Sequence, residues 1–382
     1  MPMRHETAAA NAAAHFEMPG DLLRAEPFGH GHINDTYRLT FDHEGTRRTC
    51  PTSSQGTRCR TASAVQRRYI LQRINSGVFH DPLALLDNMQ RVLEHLKRKV
   101  SEPRRVLHPV PARDGRPYWK DAAGEYWRAA DFIEGTVTHF SVRTAKQAYE
   151  AAKAYGRFQS LLADLPGPRL KETIPGFHDT PKRVADFRSA LQADAVGRVK
   201  EVAPEAEFAL EHAGVAGRLH GGMRERVVHN DTKVDNVLFD NETGEGLCVI
   251  DLDTVMPGLP LHDFGDLVRS AISTTAEDST DLSKLKVSKP IFDGLARGYL
   301  ETAGEFLSRD EVGLLAFSGR LIAYELGVRF LTDYLNGDTY FKIHHPKHNL
   351  ERSRVQFRLA ELLGEAEAEL QARVERLAAV RR

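Results

Sequence analysis

Apolar and polar positions divide the chain into two differently patterned halves. Thr36 to Phe41 and Tyr69 to Ile74 alternate in the manner of short strands. After Asp81-Pro82, the residues Leu83, Leu86, Met89, Val92, Leu93 and Leu96 recur at helical spacing, and the proline marks the start of that helix. Strand-like material follows at Val106 to Val110, Arg116 to Trp119 and Tyr126 to Ile133. Beyond Gly135 the period lengthens: Ala148, Ala151, Ala152, Tyr155, Phe158, Leu161 and Leu162 predict a helix over 144–165. Further helices are predicted over 180–191, 205–219, 290–303, 309–336 and 351–381, interrupted by short strands near 226–229 and 247–251.

Two stretches fall outside this pattern. Residues 1–20, Ala-rich and ending at Pro19-Gly20, read as a flexible N-terminal extension. Residues 42–68, rich in Arg, Thr, Ser and Gln, read as a basic insertion: a long hairpin loop or a disordered segment. The segment order predicts an α+β chain with a two-lobed, protein-kinase-like fold. A small sheet-rich N-lobe would span 21–134 and a larger helical C-lobe 135–382.

Composition narrows the function by exclusion. A formal charge of -1 over 382 residues provides no global field for nucleic acid or an anionic membrane. The apolar run from Leu314 to Leu335 is cut by Arg320, Glu325 and Arg329, so it does not read as a membrane span. Three cysteines do not make a disulfide scaffold, and the N-terminus lacks the apolar core of a signal peptide. A cytoplasmic enzyme acting as a monomer on a small molecule is expected.

One loop carries the chemistry. Kinase-like phosphoryl transfer needs a carboxylate to receive the hydroxyl proton, an Asn ligand for Mg²⁺ five residues later, and a second Asp on the next strand. Asp231 and Asn236 have that separation, and His229 stands two residues before the Asp. Fifteen residues beyond Asn236, the apolar Val249-Ile250 ends in Asp251-Leu252-Asp253. Each piece alone is compatible with a turn or a strand end; the joint spacing points to a kinase. Asp231 is therefore the expected catalytic base, and Asn236, Asp251 and Asp253 the expected Mg²⁺ ligands. Asp263 and Asp266, in Leu261-His262-Asp263-Phe264-Gly265-Asp266, are expected to brace the catalytic loop through its backbone N–H groups.

For ATP, Gly29 and Gly31 in Phe28-Gly29-His30-Gly31-His32-Ile33-Asn34 supply a small-residue loop that would cover phosphates. The adenine edge is expected at the backbone of Phe132, Ile133 and Glu134. Where kinases place a lysine on the third strand, Tyr69-Ile70-Leu71-Gln72 has Gln72, which donates a neutral hydrogen bond and brings no charge. Another cation or Mg²⁺ itself must then carry that load.

These residues, with Gly31-His32-Ile33-Asn34-Asp35-Thr36-Tyr37, Phe177-His178-Asp179-Thr180-Pro181, His229-Asn230-Asp231-Thr232-Lys233 and Ile250 to Gly258, resemble the N-acetylhexosamine 1-kinases. These form a branch of the aminoglycoside phosphotransferase and choline kinase superfamily. The resemblance covers about residues 20 to 365. It implies phosphorylation of the anomeric hydroxyl of N-acetylglucosamine or N-acetylgalactosamine by ATP, and a glutamine at the position of Gln72. It further implies that Arg329 and Tyr340 contact the sugar, with Ile33 also facing substrate, and that Asn230 and Asp231 sit beside the reacting hydroxyl. Rival readings are a choline, homoserine or aminoglycoside kinase, and a non-catalytic ATP-binding regulator.

Overall fold

Alternating side chains on consecutive strands organise the first unit of the computed structural model, which describes residues 2–29, 33–43, 65–219 and 223–380. This unit comprises the chain up to Gln90 together with Leu107–Glu134. It contains helix α1 (Pro2–Ala13), strands β1 (Asp21–Pro27), β2 (Asp35–His43) and β3 (Val65–Arg73), and the start of α2 (Pro82–Lys99). Strands β4 (Pro109–Val110), β5 (Trp119–Lys120) and β6 (Tyr126–Asp131) complete it. The antiparallel sheet runs β1-β2-β3-β6-β4, with β5 also on β6. Tyr37, Leu39, Phe41, Tyr69, Leu71, Trp127 and Ala129 bury one sheet face.

That face is closed by the residues expected to be a flexible extension. Ala9, Ala12, Ala13 and Phe16 are buried in the same core. Small side chains at helical spacing let α1 lie close to the sheet, so burial overrides the loose polar look of the segment. Of the 42–68 insertion, the two ends belong to β2 and β3, and residues 44–64 lie outside the described residues.

The second unit holds Arg91–Val106 and the chain from Gly135 onward. Its helices are α3 (Ala145–Leu162), α4 (Thr180–Ala193), α5 (Ala203–Glu211), α6 (Pro260–Ala271), α7 (Lys289–Ala303), α8 (Arg309–Val312), α9 (Leu315–Leu335) and α10 (His348–Ala379). Its strands β7 (Thr136–Val137), β9 (Val237–Asp240) and β10 (Gly246–Val249) form a sheet in the order β10-β9-β7. Strands β8 (Arg226–Val228) and β11 (Met256–Gly258) form a separate antiparallel ribbon. Helix α9 is apolar nearly all round and almost wholly buried; it packs against α4, α6 and α10. Two expected helices are shorter. The one at 205–219 ends at Glu211, before Gly214 and Gly217, and the one at 309–336 breaks at Gly313-Leu314. Glycine weakens a helix interior by about 1 kcal/mol relative to alanine. Sheet in the first unit and helices in the second give the α+β, protein-kinase-like architecture expected from the sequence.

Candidate active site

The β8–β11 ribbon brings two loops together. Val228 pairs with Met256 and Arg226 with Gly258, so the segment leaving β8 runs beside the segment entering β11. Asn230 and Asp251 both adopt left-handed backbone, at φ 64° and 59°. Asn and Asp tolerate that region better than other side chains, which suits these residue types to tight loops. The Asn230 amide donates to the carbonyl of Thr254 at 2.9 Å, tying one loop to the other. Gly258 is required by this approach: a Cβ there would meet Val228 Cγ2 at 2.6 Å and Asn230 Oδ1 at 3.0 Å.

Helix α6 supplies the anchor. The buried Asp263 carboxylate accepts the backbone N–H of His229 at 2.8 Å and of Asn230 at 2.7 Å. Gln159 Nε2 donates to it at 2.5 Å, and Tyr299 in turn donates to Gln159 Oε1 at 2.5 Å. Thr232 Oγ1 donates to the Asp263 carbonyl at 2.5 Å. Burial pushes the Asp263 carboxyl pKa up, against the pull of the N–H bonds donated to it. The bracing role expected for Asp263 is therefore present in the structure. Asp266 meets the loop through the Thr232 hydroxyl, at 3.5 Å, and mainly holds the buried Arg269, at 2.6 Å. Gly265 lets α6 sit this close to α9, since a Cβ there would lie 2.5 Å from the Ser318 carbonyl oxygen.

His229 is fixed in one tautomer. Its Nε2 lies 2.9 Å from the Ile250 carbonyl, which can only accept, and its Nδ1 receives the Asp231 N–H at 3.3 Å. The proton is thus on Nε2, and the ring joins the Asp231 backbone to the strand end before Asp251.

The Asp231 carboxylate is partly exposed and lies 3.0 Å from Lys233 Nζ. Burial works against its ionisation, but the charge and hydrogen bond of Lys233, together with more distant charge such as Arg269, lower its pKa. Asn236 Nδ2 donates to the Asp231 carbonyl at 2.9 Å and to its carboxylate at 3.1 Å, which leaves the Asn236 amide oxygen as a donor to a cation. Asn236 also receives the Ile250 N–H on its carbonyl at 2.9 Å, so its strand pairs with the one that ends at Asp251. Asp251 is exposed, whereas Asp253 is buried, with its carbonyl accepting from Thr173 at 2.8 Å.

On the other side of Asn230 lies a buried ion pair. His178 Nε2 donates to the Asn230 carbonyl at 3.0 Å, and His178 Nδ1 donates to Glu325 Oε1 at 2.8 Å. Both ring nitrogens face acceptors, so the ring is an imidazolium. Burial opposes its charge, yet Glu325 outweighs burial and raises the His178 pKa. Glu325 itself, despite burial, is pulled down to about 2 by His178. Arg329 Nη1 lies 3.9 Å from Glu325, and its guanidinium covers the ring of Phe177 at 4.7 Å and that of Tyr340 at 6.0 Å. A cavity of about 350 Å³ beside Asn230 is lined by Phe177, His178, Met256, Gly258 and His262 among others. Arg329 and Tyr340 come together behind Phe177 but are not among its lining residues.

In the first unit, Gly29 has φ +78°, and Gly31 lies outside the described residues. The Ile33 carbonyl accepts from Asn75 Nδ2 at 3.2 Å, which ties the end of this loop beside β3. Gln72 donates to Thr36 Oγ1 at 3.1 Å and accepts the Arg128 Nε and Nη2 on its Oε1 at 3.0 and 2.8 Å. The Phe132 N–H donates to the Arg68 carbonyl at 3.1 Å. Ile133 is buried, while Glu134 is exposed and pairs with Arg68.

Gln159, Glu325 and Arg128 belong to no motif that marks them in the sequence. Glu325 and Arg128 each had one visible signal, a charge inside an otherwise apolar run, in Ile322-Ala323-Tyr324-Glu325-Leu326 and Trp127-Arg128-Ala129-Ala130.

A loop of this kind on this fold defines a small-molecule phosphotransferase, a kinase of alcohols. The chain belongs to the phosphotransferase enzyme family (APH), whose pattern it matches over residues 24–302. Solved structures share the fold at low identity. A microcompartment-associated aminopropanol kinase is 16% identical, with 96% of this chain and 99% of that one covered and a TM-score of 0.57. The amicoumacin kinase hAmiN, in complex with AMP-PNP, Ca²⁺ and Ami, is 14% identical over 95% and 93%, with a TM-score of 0.54. A choline/ethanolamine kinase family protein from Mesorhizobium loti is 16% identical over 98% and 99%, with a TM-score of 0.52. No helix among the described residues is long and apolar enough to cross a membrane.

Proposed function

We propose that the chain is an ATP- and magnesium-dependent kinase that phosphorylates the anomeric hydroxyl of an N-acetylhexosamine. The observation that carries the kinase chemistry is Asp231, held by Asn236 and kept ionised by Lys233, on a loop whose backbone is clamped by Asp263 and His178. An ionised, positioned carboxylate receives the hydroxyl proton as the phosphoryl group transfers. In a loose transition state, its placement of the acceptor oxygen contributes more than its basicity.

The donor set fits magnesium. Asn236, Asp251 and Asp253 offer hard oxygen atoms, and the Asn236 amide is oriented with its oxygen unspent on Asp231. Among the described residues no three His, Cys, Asp or Glu side chains make a cage of their own. Magnesium held with nucleotide phosphates needs only one or two carboxylates. When bound, it would neutralise charge on the transferring phosphoryl group. The shared fold with a kinase captured with AMP-PNP and Ca²⁺ supports a nucleotide with a divalent cation.

The acceptor side favours a neutral sugar. Glu325, the buried acid behind His178, is already neutralised by that imidazolium, and Arg329 adds positive charge. Glu172 and Glu225 reach the cavity, but Arg169 pairs with both, at 2.9 and 2.7 Å, and the third acid there, Asp179, is engaged as the N-cap of α4, accepting the Lys182 N–H at 3.0 Å. A cationic acceptor such as choline would need uncompensated acid there. The cavity, at about 350 Å³, is at the small end of ligand sites, suited to one monosaccharide.

The test is ADP release measured against a panel of N-acetylglucosamine, N-acetylgalactosamine, choline and an aminoglycoside, for the wild type and Asp231→Asn. Turnover of an N-acetylhexosamine to its 1-phosphate is expected, lowered at least about 10²-fold in the variant. Preference for choline or the aminoglycoside would overturn the sugar reading, and near-normal turnover by Asp231→Asn would overturn the base.

A further inference from the structure

The starts of α3 and α7 meet the end of α10. Gly294 and Gly298 let α7 press against α3: a Cβ at Gly294 would lie 2.4 Å from the Ala145 carbonyl oxygen, and one at Gly298 2.1 Å from that of Tyr149. The last turns of α10 join this pair, with Arg373 Nη1 2.7 Å from Asp293 Oδ2 on α7. The three helices leave a cavity of about 790 Å³ between them, lined wholly by residues of the second unit. It shares no lining residue with the cavity beside Asn230.

The charge of this cavity is one-sided. Lys146, Arg297, Arg373 and Arg376 line it, against the single carboxylate of Asp293, which Arg373 already holds. Lys146 spends one N–H on the Thr243 carbonyl, at 3.0 Å, and keeps its full charge. Arg297 lies over the Tyr149 ring at 5.3 Å, a contact that orients the guanidinium without cancelling its charge. Glu301, the acid beside that ring, is taken by Lys153 at 3.0 Å and by the Tyr149 hydroxyl at 2.7 Å. Among the described residues, neither Arg297 nor Arg376 forms an ion pair. Between these charges, Pro290, Leu377 and Val380 give the cavity aliphatic walls. Its volume is that of a site for a whole small molecule, and exceeds what a lone inorganic anion fills.

We propose that this cavity is a second ligand site, which takes a phosphorylated small molecule. Its phosphate meets Arg297 and Arg376, and its carbon skeleton lies against Pro290, Leu377 and Val380. Each guanidinium can offer two N–H groups at once to phosphate oxygens, and Lys146 adds a point charge. Arg297 and Arg376 stand on different helices, so an anion between them also relieves the repulsion of two like charges that share one cavity. Nothing in this depends on the kinase reading, because none of these residues belongs to the Asp231 loop or to the cavity beside Asn230.

The test is calorimetry of the full chain with 1-naphthyl phosphate, and with uncharged 1-naphthol as its control. The wild type should bind the phosphate at least about tenfold more tightly than the naphthol, the scale of one charge-assisted hydrogen bond or two. The double variant Arg297→Ser/Arg376→Ser should lose that preference; both side chains are exposed, so the fold should survive. Asp293→Asn removes the one carboxylate and should tighten phosphate binding several-fold, an effect that damage to the fold does not produce. Lys233→Met, on the Asp231 loop, should keep the wild-type preference. No binding of the phosphate by the wild type at millimolar concentration, or naphthol bound equally well, would overturn the proposal. So would a double variant that binds as the wild type does, or a preference lost in Lys233→Met alone, which would put the phosphate at the Asp231 loop. If the double variant does not fold, unchanged or weaker binding by Asp293→Asn overturns the proposal equally.

Discussion

The first unit's sheet and the second unit's Asp231 loop both depend on charged side chains, but they use charge in different ways. On the sheet, Arg38 pairs with Glu26 and Arg68 with Glu134, and each of these groups stays substantially exposed. Around the loop, Asp263, His178 and Glu325 are buried, and each is satisfied by several directed hydrogen bonds. Exposed pairs contribute little and rearrange readily. Buried ones are costly to break and so fix a backbone in place. In the proposed kinase, the open surface belongs to the sheet and the clamp to the loop that carries Asp231.

The sharpest break of that contrast is Asp263→Ala. It leaves the buried N–H groups of His229 and Asn230, and the Gln159 amide, without their acceptor. About 1–3 kcal/mol for each unsatisfied group predicts a loss of at least about 3 kcal/mol in urea unfolding. kcat should fall while the KM for ATP stays near wild type, because the loop moves and the sheet does not. A variant as stable as wild type would show that Asp263 is not the anchor.

Next in size is Glu325→Gln. At pH 6 it should cost about 3 kcal/mol, because it leaves a buried His178 without its counter-charge. The pH dependence is more diagnostic. His178 has a folded pKa raised above 6.5, so its contribution is complete below pH 6.5 and is lost as pH rises through that higher folded value. Glu325, lowered to about 2, contributes above its ordinary 4.5 and is lost only as pH falls toward 2. Thr180 and Arg329 also face this carboxylate. Wild-type stability should therefore decline on the alkaline side of pH 6.5, and the decline should vanish in Glu325→Gln. A wild-type profile flat from pH 6 to 9 would contradict the imidazolium assignment.

The contrast also explains what the sequence made legible. Asp231, Asn236 and Asp251 belong to one local spacing, and the ribbon that sets them side by side is itself local, with β8 and β11 about thirty residues apart. Asp263 was readable for the same reason, as an acid at the start of the next helix. Glu325 and Gln159 act on the loop from about 95 and 70 residues away, through packing of α9 and α3 that no period records. Arg128 reaches Gln72 by cross-strand register over 56 residues, and register is settled only when the sheet forms. Helix α1 is hard to read as core because alanine makes a weak stripe: Ala9, Ala12 and Ala13 show their purpose only once Phe16 and the sheet lie against them.

The smallest effect expected is the one that tests the exposed side of the comparison. Arg68 pairs with Glu134 and covers the ring of Phe132 at 4.5 Å, with more than a third of its side chain in water. Solvent screening reduces such an ion pair to below about 1 kcal/mol, and the ring contact adds a similar small amount at an exposed site. Arg68→Ala should lower stability by about 1 kcal/mol, and 0.5 M salt should shrink the difference between variant and wild type, because exposed charges are screened within a few ångströms at that strength. The same salt should leave the cost of Asp263→Ala nearly intact, since the groups it orphans are buried. A cost for Arg68→Ala of 3 kcal/mol, insensitive to salt, would place the sheet's charges in the same class as the loop's. The distinction between an open surface and a clamped one would then collapse.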